Sequence, residues 1–323
     1  MNFATLQGLT IPEGVVTQIT DASGRVLWSF KKEARAVLQV AKQTLTTYAG
    51  ETAYANENFV AIDVYPKTNG TVNITYGGLT KTITDTSGVE SPNAQTVYFG
   101  TLYGVSDTVE TPVSGKLTIE GNFAAFGCGV YKGAGKGAGL RSNEYCGCIT
   151  EVSSWGDITS IPDHAFDGCV NLTNITFPNG ITSIGSYAFH SCDLLVLTSL
   201  PNSVVSIGPY AFYGCDSITS FIVPEGIENI ENSTFEECRN LTYLVLPSTL
   251  KTIGSRVAFS ILNTTTTLTI NVLATTPPTY SGDNFALLIN YGNNMITVPK
   301  GSLSAYQTAN GWSEYTERMK EVS

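Results

Sequence analysis

From Cys146 to Phe259 apolar and polar positions follow one pattern that repeats at a fixed interval. Cys146, Cys169, Cys192, Cys215 and Cys238 stand 23 residues apart, as do Pro178, Pro201, Pro224 and Pro247. Phe166, Phe189, Phe212 and Phe235 keep the same interval, and so do Ile161, Ile184, Ile207, Ile230 and Ile253. A period of roughly 20–29 residues predicts a solenoid of the leucine-rich kind. In the unit Cys169 to Phe189, the pattern points Leu172, Ile175 and Phe177 inward from a short strand and Thr173, Asn174 and Thr176 outward. Pro178 ends that strand, and Asn179-Gly180 turns the chain. A second short strand sets Ile181 and Ile184 inward, Gly185 turns again, and Ala188-Phe189 closes a short helical turn. One coil cannot bury its apolar side alone, but coils stacked about 4.8 Å apart share a core.

The remaining pattern predicts a mainly β chain in five parts. Residues 1–34 hold an N-terminal attachment hairpin, Leu9 to Val16 and Gln18 to Trp28 around Ser23-Gly24, and a charged linker. A lone hairpin is marginal in water, so this one should pack on another domain or protein. Residues 35–122 alternate over several short strands. The clearest hairpin is Thr71–Tyr76, Gly77-Gly78, Leu79–Thr84. Strands at this spacing suggest an immunoglobulin-like β-sandwich, without the cysteine–tryptophan signature of antibody domains. Residues 123–145 are a glycine-rich connection and N-cap, 146–260 are the right-handed leucine-rich-repeat solenoid, and 261–323 form a C-terminal capping segment. In that segment Met295–Pro299 reads as a strand and Leu303–Trp312 as a short helix.

Charge narrows the partners. A formal net charge of −10 leaves no basic stripe to neutralise phosphates, which excludes nucleic acid and anionic lipid as expected partners. No window of 18 apolar residues predicts a membrane-spanning helix, and Met1 to Gly14 lacks the pattern of a secretion signal. Five of the seven cysteines fall on the repeat and read as one column of small buried side chains. Cys128 and Cys148 lie off that column, as a disulfide or as free thiols.

No catalytic set, cofactor site or metal site is expected. Gly133 to Gly139 surrounds Lys136, but glycine follows the lysine where a phosphate loop needs serine or threonine, and no helix pattern follows. His164 and His190 occupy offset positions in adjacent coils, with no carboxylate at metal spacing and no suitable neighbour for a Ser/His/Asp set. Asp63, Asp85, Asp107 and Glu110 form no calcium-loop run. The candidate partner-binding residues are Asn174, Thr176, Leu197, Ile222, Tyr243 and Val245, on the outward columns of the first strand. Leu197, Ile222, Tyr243 and Val245 are apolar where alternation predicts solvent. Either they contact a partner, or the sandwich, a neighbouring subunit or the cap covers them.

The unit Leu-x-x-Ile-x-Phe/Leu-Pro followed by Ile-x-x-Ile-Gly-x-x-Ala-Phe-x-x-Cys resembles the BspA-like leucine-rich repeat family. Leu172 to Cys192, Leu195 to Cys215 and Ile218 to Cys238 carry the resemblance, and Val298 to Tyr306 with Gly311-Trp312 is similar to that family's terminal segment. Glu231-Asn232-Ser233-Thr234 departs from Gly-x-x-Ala and should loosen one turn. The resemblance implies non-enzymatic adhesion at a surface. Leu9 to Trp28 resembles the start of tail structural proteins of gut phages and prophages. Together these imply a phage tail or baseplate-associated receptor-binding protein, located in the virion. It would meet other tail or baseplate proteins through residues 1–30 and a bacterial surface protein or glycan through the solenoid. A homo-oligomer fits a tail tip. The alternative is a bacterial cell-surface or secreted adhesin of BspA-like type.

Overall fold

The computed structural model describes residues 18–20, 26–29, 34–40, 59–67, 69–76, 78–85, 95–100, 115–121, 123–128, 149–156, 158–178, 180–258, 267–280 and 294–322. The glycine-rich run 133–139, Cys146, Cys148 and Phe259 lie outside them, and so does the Cys128–Cys148 pairing. Two short strands, β1 (Gln18–Thr20) and β2 (Val26–Ser29), pair antiparallel with Ile19 opposite Trp28.

Seven strands follow: β3 (Ala34–Val40), β4 (Phe59–Pro66), β5 (Thr71–Tyr76), β6 (Leu79–Thr84), β7 (Gln95–Gly100), β8 (Gly115–Gly121) and β9 (Phe123–Cys128). β4 lies between β7 and β9 in one antiparallel sheet. β5 and β6 form the hairpin read from the sequence, with Tyr76 opposite Leu79 and Gly78 in the left-handed region at φ 83°. Alternation along β5 buries Val72, Ile74 and Tyr76, which join Ile62, Val64, Leu117 and Ile119 in the core. Residues 123–128, expected to open the glycine-rich connection, are instead the strand β9, with Phe123 and Phe126 buried.

The solenoid does not begin at a free edge. Its first long strand, β10 (Ile149–Trp155), pairs antiparallel with β3 on one side and parallel with β12 (Asn174–Ile175) on the other. One sheet of order β12-β10-β3-β8-β5-β6 thus runs from the N-terminal region into the repeats. That arrangement covers an end strand that would otherwise offer unpaired backbone groups. Phe126 meets Phe166 edge to face at 6.4 Å. A Cβ at Gly127 would come within 2.6 Å of the Ala165 carbonyl, so β9 lies directly against the first coil's turn.

Within the repeats Leu172, Leu195, Ile218 and Leu241 are buried at one position of the coil, and Ile161, Ile184, Ile207, Ile230 and Ile253 at another. The Ala-Phe positions form hydrogen-bonded turns and stack their rings: Phe166, Phe189, Phe212 and Phe235 lie 5.5, 5.5 and 5.6 Å apart, nearly parallel. Cys192, Cys215 and Cys238 are free and buried, each sulfhydryl donating to a phenylalanine carbonyl 26 residues back at 3.0–3.1 Å. Burial pushes the Cys238 thiol up to about 12, as expected of a structural side chain. Cys169 departs from the expected column of unbonded thiols: it is disulfide-bonded.

Two irregularities have identifiable causes. The first-strand sheet stops after β12 and restarts at β15 (Ser220–Ile222). Between them Thr198 occupies the column of Ile175, Phe221 and Leu244, and a threonine there does not enter the core. Thr198 is exposed, Leu197 packs against the core in its place, and the coil is tied to the preceding one by the Val196 N–H donating to the Thr173 carbonyl and to β15 by an isolated bridge from Ser199 to Ile222. The second-strand line, β11 (Ser160–Ile161), β13 (Ser183–Ile184) and β14 (Ser206–Ile207), stops before β16 (Asn229–Ile230), where a new line runs on to β18 (Thr252–Ile253) and β20 (Thr279–Tyr280). Gly185, Gly208 and Gly254 each donate a backbone N–H to an isoleucine carbonyl of the preceding coil. Added Cβ atoms there would come within 2.5–2.6 Å of backbone nitrogens. Glu231 stands in this glycine column and makes no corresponding bond, so its Cβ holds the coils apart at one turn.

The C-terminal segment does more than cap. β17 (Tyr243–Leu246) is followed in parallel by β19 (Thr269–Val272), β21 (Met295–Val298) and β22 (Met319–Glu321). Tyr243 pairs with Thr269 and Thr269 with Met295, so the coil lengthens to 26 residues while its geometry continues. The helix α1 (Leu303–Thr308) then closes the core. Tyr306 donates to the Ala274 carbonyl and Trp312 to the Pro278 carbonyl, both at 2.7 Å. Glu321 accepts from Gly301 and Leu303 N–H groups, capping α1 from the last strand.

Candidate interaction surface

The coil's first segment, from cysteine to proline, presents its outward columns side by side. Asn174 on β12 and Thr176 just beyond it are exposed as expected. Ile222 (52 % exposed) and Tyr243 (41 %) are the apolar side chains that reach solvent. Two expectations fail. Leu197 is half-buried because Thr198 surrenders the core position to it. Val245 is 8 % exposed although it does not join the continuous core. It stays on the outer side, where Ile222 and Asn271 flank it in register and shield it laterally.

Other exposed apolar residues escaped a strand-by-strand reading. In the column of Thr173, Thr219 and Thr242 the coil 192–214 carries Val196, 64 % exposed. In the column of Asn171, Ser217 and Asn240 it carries Leu194, 47 % exposed. Thr173 and Thr242 donate their hydroxyls to carbonyls of the preceding coil at 3.0 and 2.9 Å; valine has nothing to donate. Val170 is also exposed, one coil before Asp193. The signal was available: each position read down its column, not along its strand. Among the described residues Asp193 makes no side-chain hydrogen bond or ion pair. Its surface is exposed, but partial desolvation of the carboxyl and the neighbouring Asp216 carboxylate hold it above the ordinary aspartate range against the pull of Arg239 and His190.

On the turn edge the two histidines do find a carboxylate. Asp167 accepts a hydrogen bond at 2.8 Å from Nδ1 of His164 and of His190. Burial opposes ionisation of Asp167, but the bonds from His190 and His164 outweigh it and hold the carboxyl below its ordinary value. This corrects the expectation that neither histidine has a suitable neighbour. The arrangement still cannot act as a nucleophilic relay. Ser191 approaches the same Nδ1 of His190, at 3.3 Å, that Asp167 engages, whereas a relay uses the two ring nitrogens separately. The imidazoles belong instead to stacks of rings: His164, Tyr187 and Tyr210 at 4.8 and 4.6 Å, and His190 on Tyr213 at 4.9 Å. His164, Tyr187, Tyr210, Ser233 and Arg256 all hold φ between 55° and 58°, so the turn repeats although its side chain changes.

Parallel strands one coil apart, inward aliphatic columns and a phenylalanine stack define a leucine-rich-repeat solenoid. Residues 141–272 match the family described as BspA type leucine rich repeat region, in six copies. The solved structure of a leucine-rich repeat protein from T. pallidum is similar at 41% identity, over 30% of this chain and 46% of that one, with a TM-score of 0.29. A leucine-rich repeat protein from Bacteroides ovatus matches at 22% identity, over 45% of this chain and 42% of that one, TM-score 0.33. A leucine rich cell surface protein from Faecalibacterium prausnitzii matches at 20% identity, over 51% and 57%, TM-score 0.24. The chain spans about half the length of these structures. No curated protein matches it. Repeats of this type are typically binding scaffolds, and the described residues include exposed apolar side chains on the first-strand side.

Proposed function

We propose that the protein is a non-enzymatic adhesion protein whose solenoid presents its first-strand face to a partner on a cell surface. The observation that supports this is the run of exposed apolar side chains, Leu194, Val196, Ile222 and Tyr243, in consecutive coils where neighbouring positions carry Asn, Ser or Thr. The pair Ile222→Asp and Tyr243→Asp tests it. Both side chains are exposed, so the melting temperature should stay within about 2 °C. Adhesion of the full chain to its target bacterial cells should fall at least tenfold. Undiminished adhesion would move the site off this face.

In the reading favoured by Leu9 to Trp28, the protein rides on a phage tail or baseplate. Residues 1–30 attach it, the two-sheet region acts as an immunoglobulin-like spacer, and the receptor is a bacterial surface protein or glycan. The family match over residues 141–272 favours the alternative, a BspA-like adhesin carried on a bacterial cell or secreted. Immunogold electron microscopy separates the two: gold on cells with none on any virion would sink the tail reading.

A further inference from the structure

The most irregular coil of the solenoid, 192–214, gathers features that the fold does not use. Its first strand is missing, and its Val196 and Leu194 stand in columns of threonine and asparagine or serine. Asp193, beside Leu194, makes no side-chain hydrogen bond or ion pair among the described residues and feels Arg239 and His190 only through space, while Asp216 one coil on already holds Arg239 through both its backbone N–H and its guanidinium. Branched aliphatic side chains without hydrogen-bonding capacity suit another apolar side chain. They reject a glycan, whose hydroxyls would be left unpaired against methyl groups. On the neighbouring turn edge, Tyr187 offers no flat platform to a sugar either, since it has rings stacked on both faces.

We propose that the coil 192–214 docks a protein segment carrying an apolar anchor next to a basic residue. The anchor would sit on Val170, Leu194 and Val196, and the cation would pair with Asp193. The assignment rests on the adhesion reading and narrows its partner to protein. The charge complementarity is local and also general, since a chain of net charge −10 favours an approaching basic segment.

The test uses substitutions that other coils already carry at these positions, Leu194→Asn and Val196→Thr, with Asp193→Asn separately. The full chain is measured against three immobilised peptides: one alternating Leu and Lys, one Leu and Glu, one Ser and Lys. Only the Leu–Lys peptide should bind. Its affinity should fall at least tenfold in the double variant. In Asp193→Asn it should fall about threefold to tenfold and lose most of its salt dependence. Equal binding of all variants, or equal binding of the Leu–Glu peptide, overturns the docking site. In parallel, the cells that bind the full chain are treated with protease or with periodate. Loss on protease alone supports a protein partner; loss on periodate alone overturns it while leaving adhesion standing. Failure of untreated cells to bind the wild-type chain would defeat the adhesion reading itself, whatever the peptides show.

Discussion

Two ladders of rings climb the same coils. The inner one, Phe166 to Phe235, is fully buried and uses the same residue at every step. The outer one begins as His164, Tyr187 and Tyr210, with closer ring spacings of 4.8 and 4.6 Å, and then passes to Ser233 and Arg256 without disturbing the turn. Tighter stacking therefore does not mark the more necessary ladder. Inside, a missing ring leaves a void in a close-packed core, and every neighbour loses contacts. Outside, water or a long side chain fills the place. Ser233 illustrates it: it is buried in the coil next to Arg256, which pairs with Glu236.

Three substitutions bear on the contrast, in falling order of effect. Phe212→Ala should cost about 3–5 kcal/mol, because both stacked neighbours, Phe189 and Phe235, lose a face. Urea unfolding of the full chain measures it, and a cost under about 1 kcal/mol would mean the coils collapse to close the void. Tyr210→Ser places in one coil what the next already carries and should cost about 0.5–1.5 kcal/mol. A loss equal to that of Phe212→Ala would erase the distinction between the ladders. Asp167→Asn should cost least, about 0.5 kcal/mol near neutral pH, since its partner His164 is half exposed and solvent screens the pair. Its signature is the pH profile. A carboxyl held below 3.8 in the folded state stabilises above that value, and the contribution is lost as pH falls through the folded value. Wild type and variant should therefore differ in melting temperature at pH 6, and the difference should shrink as pH falls below 3.8. A difference that does not shrink below that value would refute the role of Asp167.

Much of this was legible in the residues because a solenoid is a local object. Each coil contacts only its neighbours, so a 23-residue interval sets the inward columns, the stacked phenylalanines and the buried cysteines without long-range information. Where the columns change, prediction depended on which residue would yield. Alternation placed Leu197 and Val245 outside. Thr198 let Leu197 turn in, and flanking side chains covered Val245. The carboxylate shared by His164 and His190 was hidden for a related reason. Asp167 lies 3 residues from one and 23 from the other, a neighbourhood that exists only once coils stack.

By itself the chain determined the repeat, the inward aliphatic columns, and the glycine column that Glu231 breaks, because these follow from periodicity and from the space a Cβ occupies. Tertiary structure alone decided how the solenoid begins and ends. β10 takes β3 as an antiparallel partner across more than a hundred residues of sequence, and the coil lengthens to 26 residues while its sheet continues to β22. No period announces either feature. An end strand needs its backbone groups paired, and whichever strand can reach satisfies them.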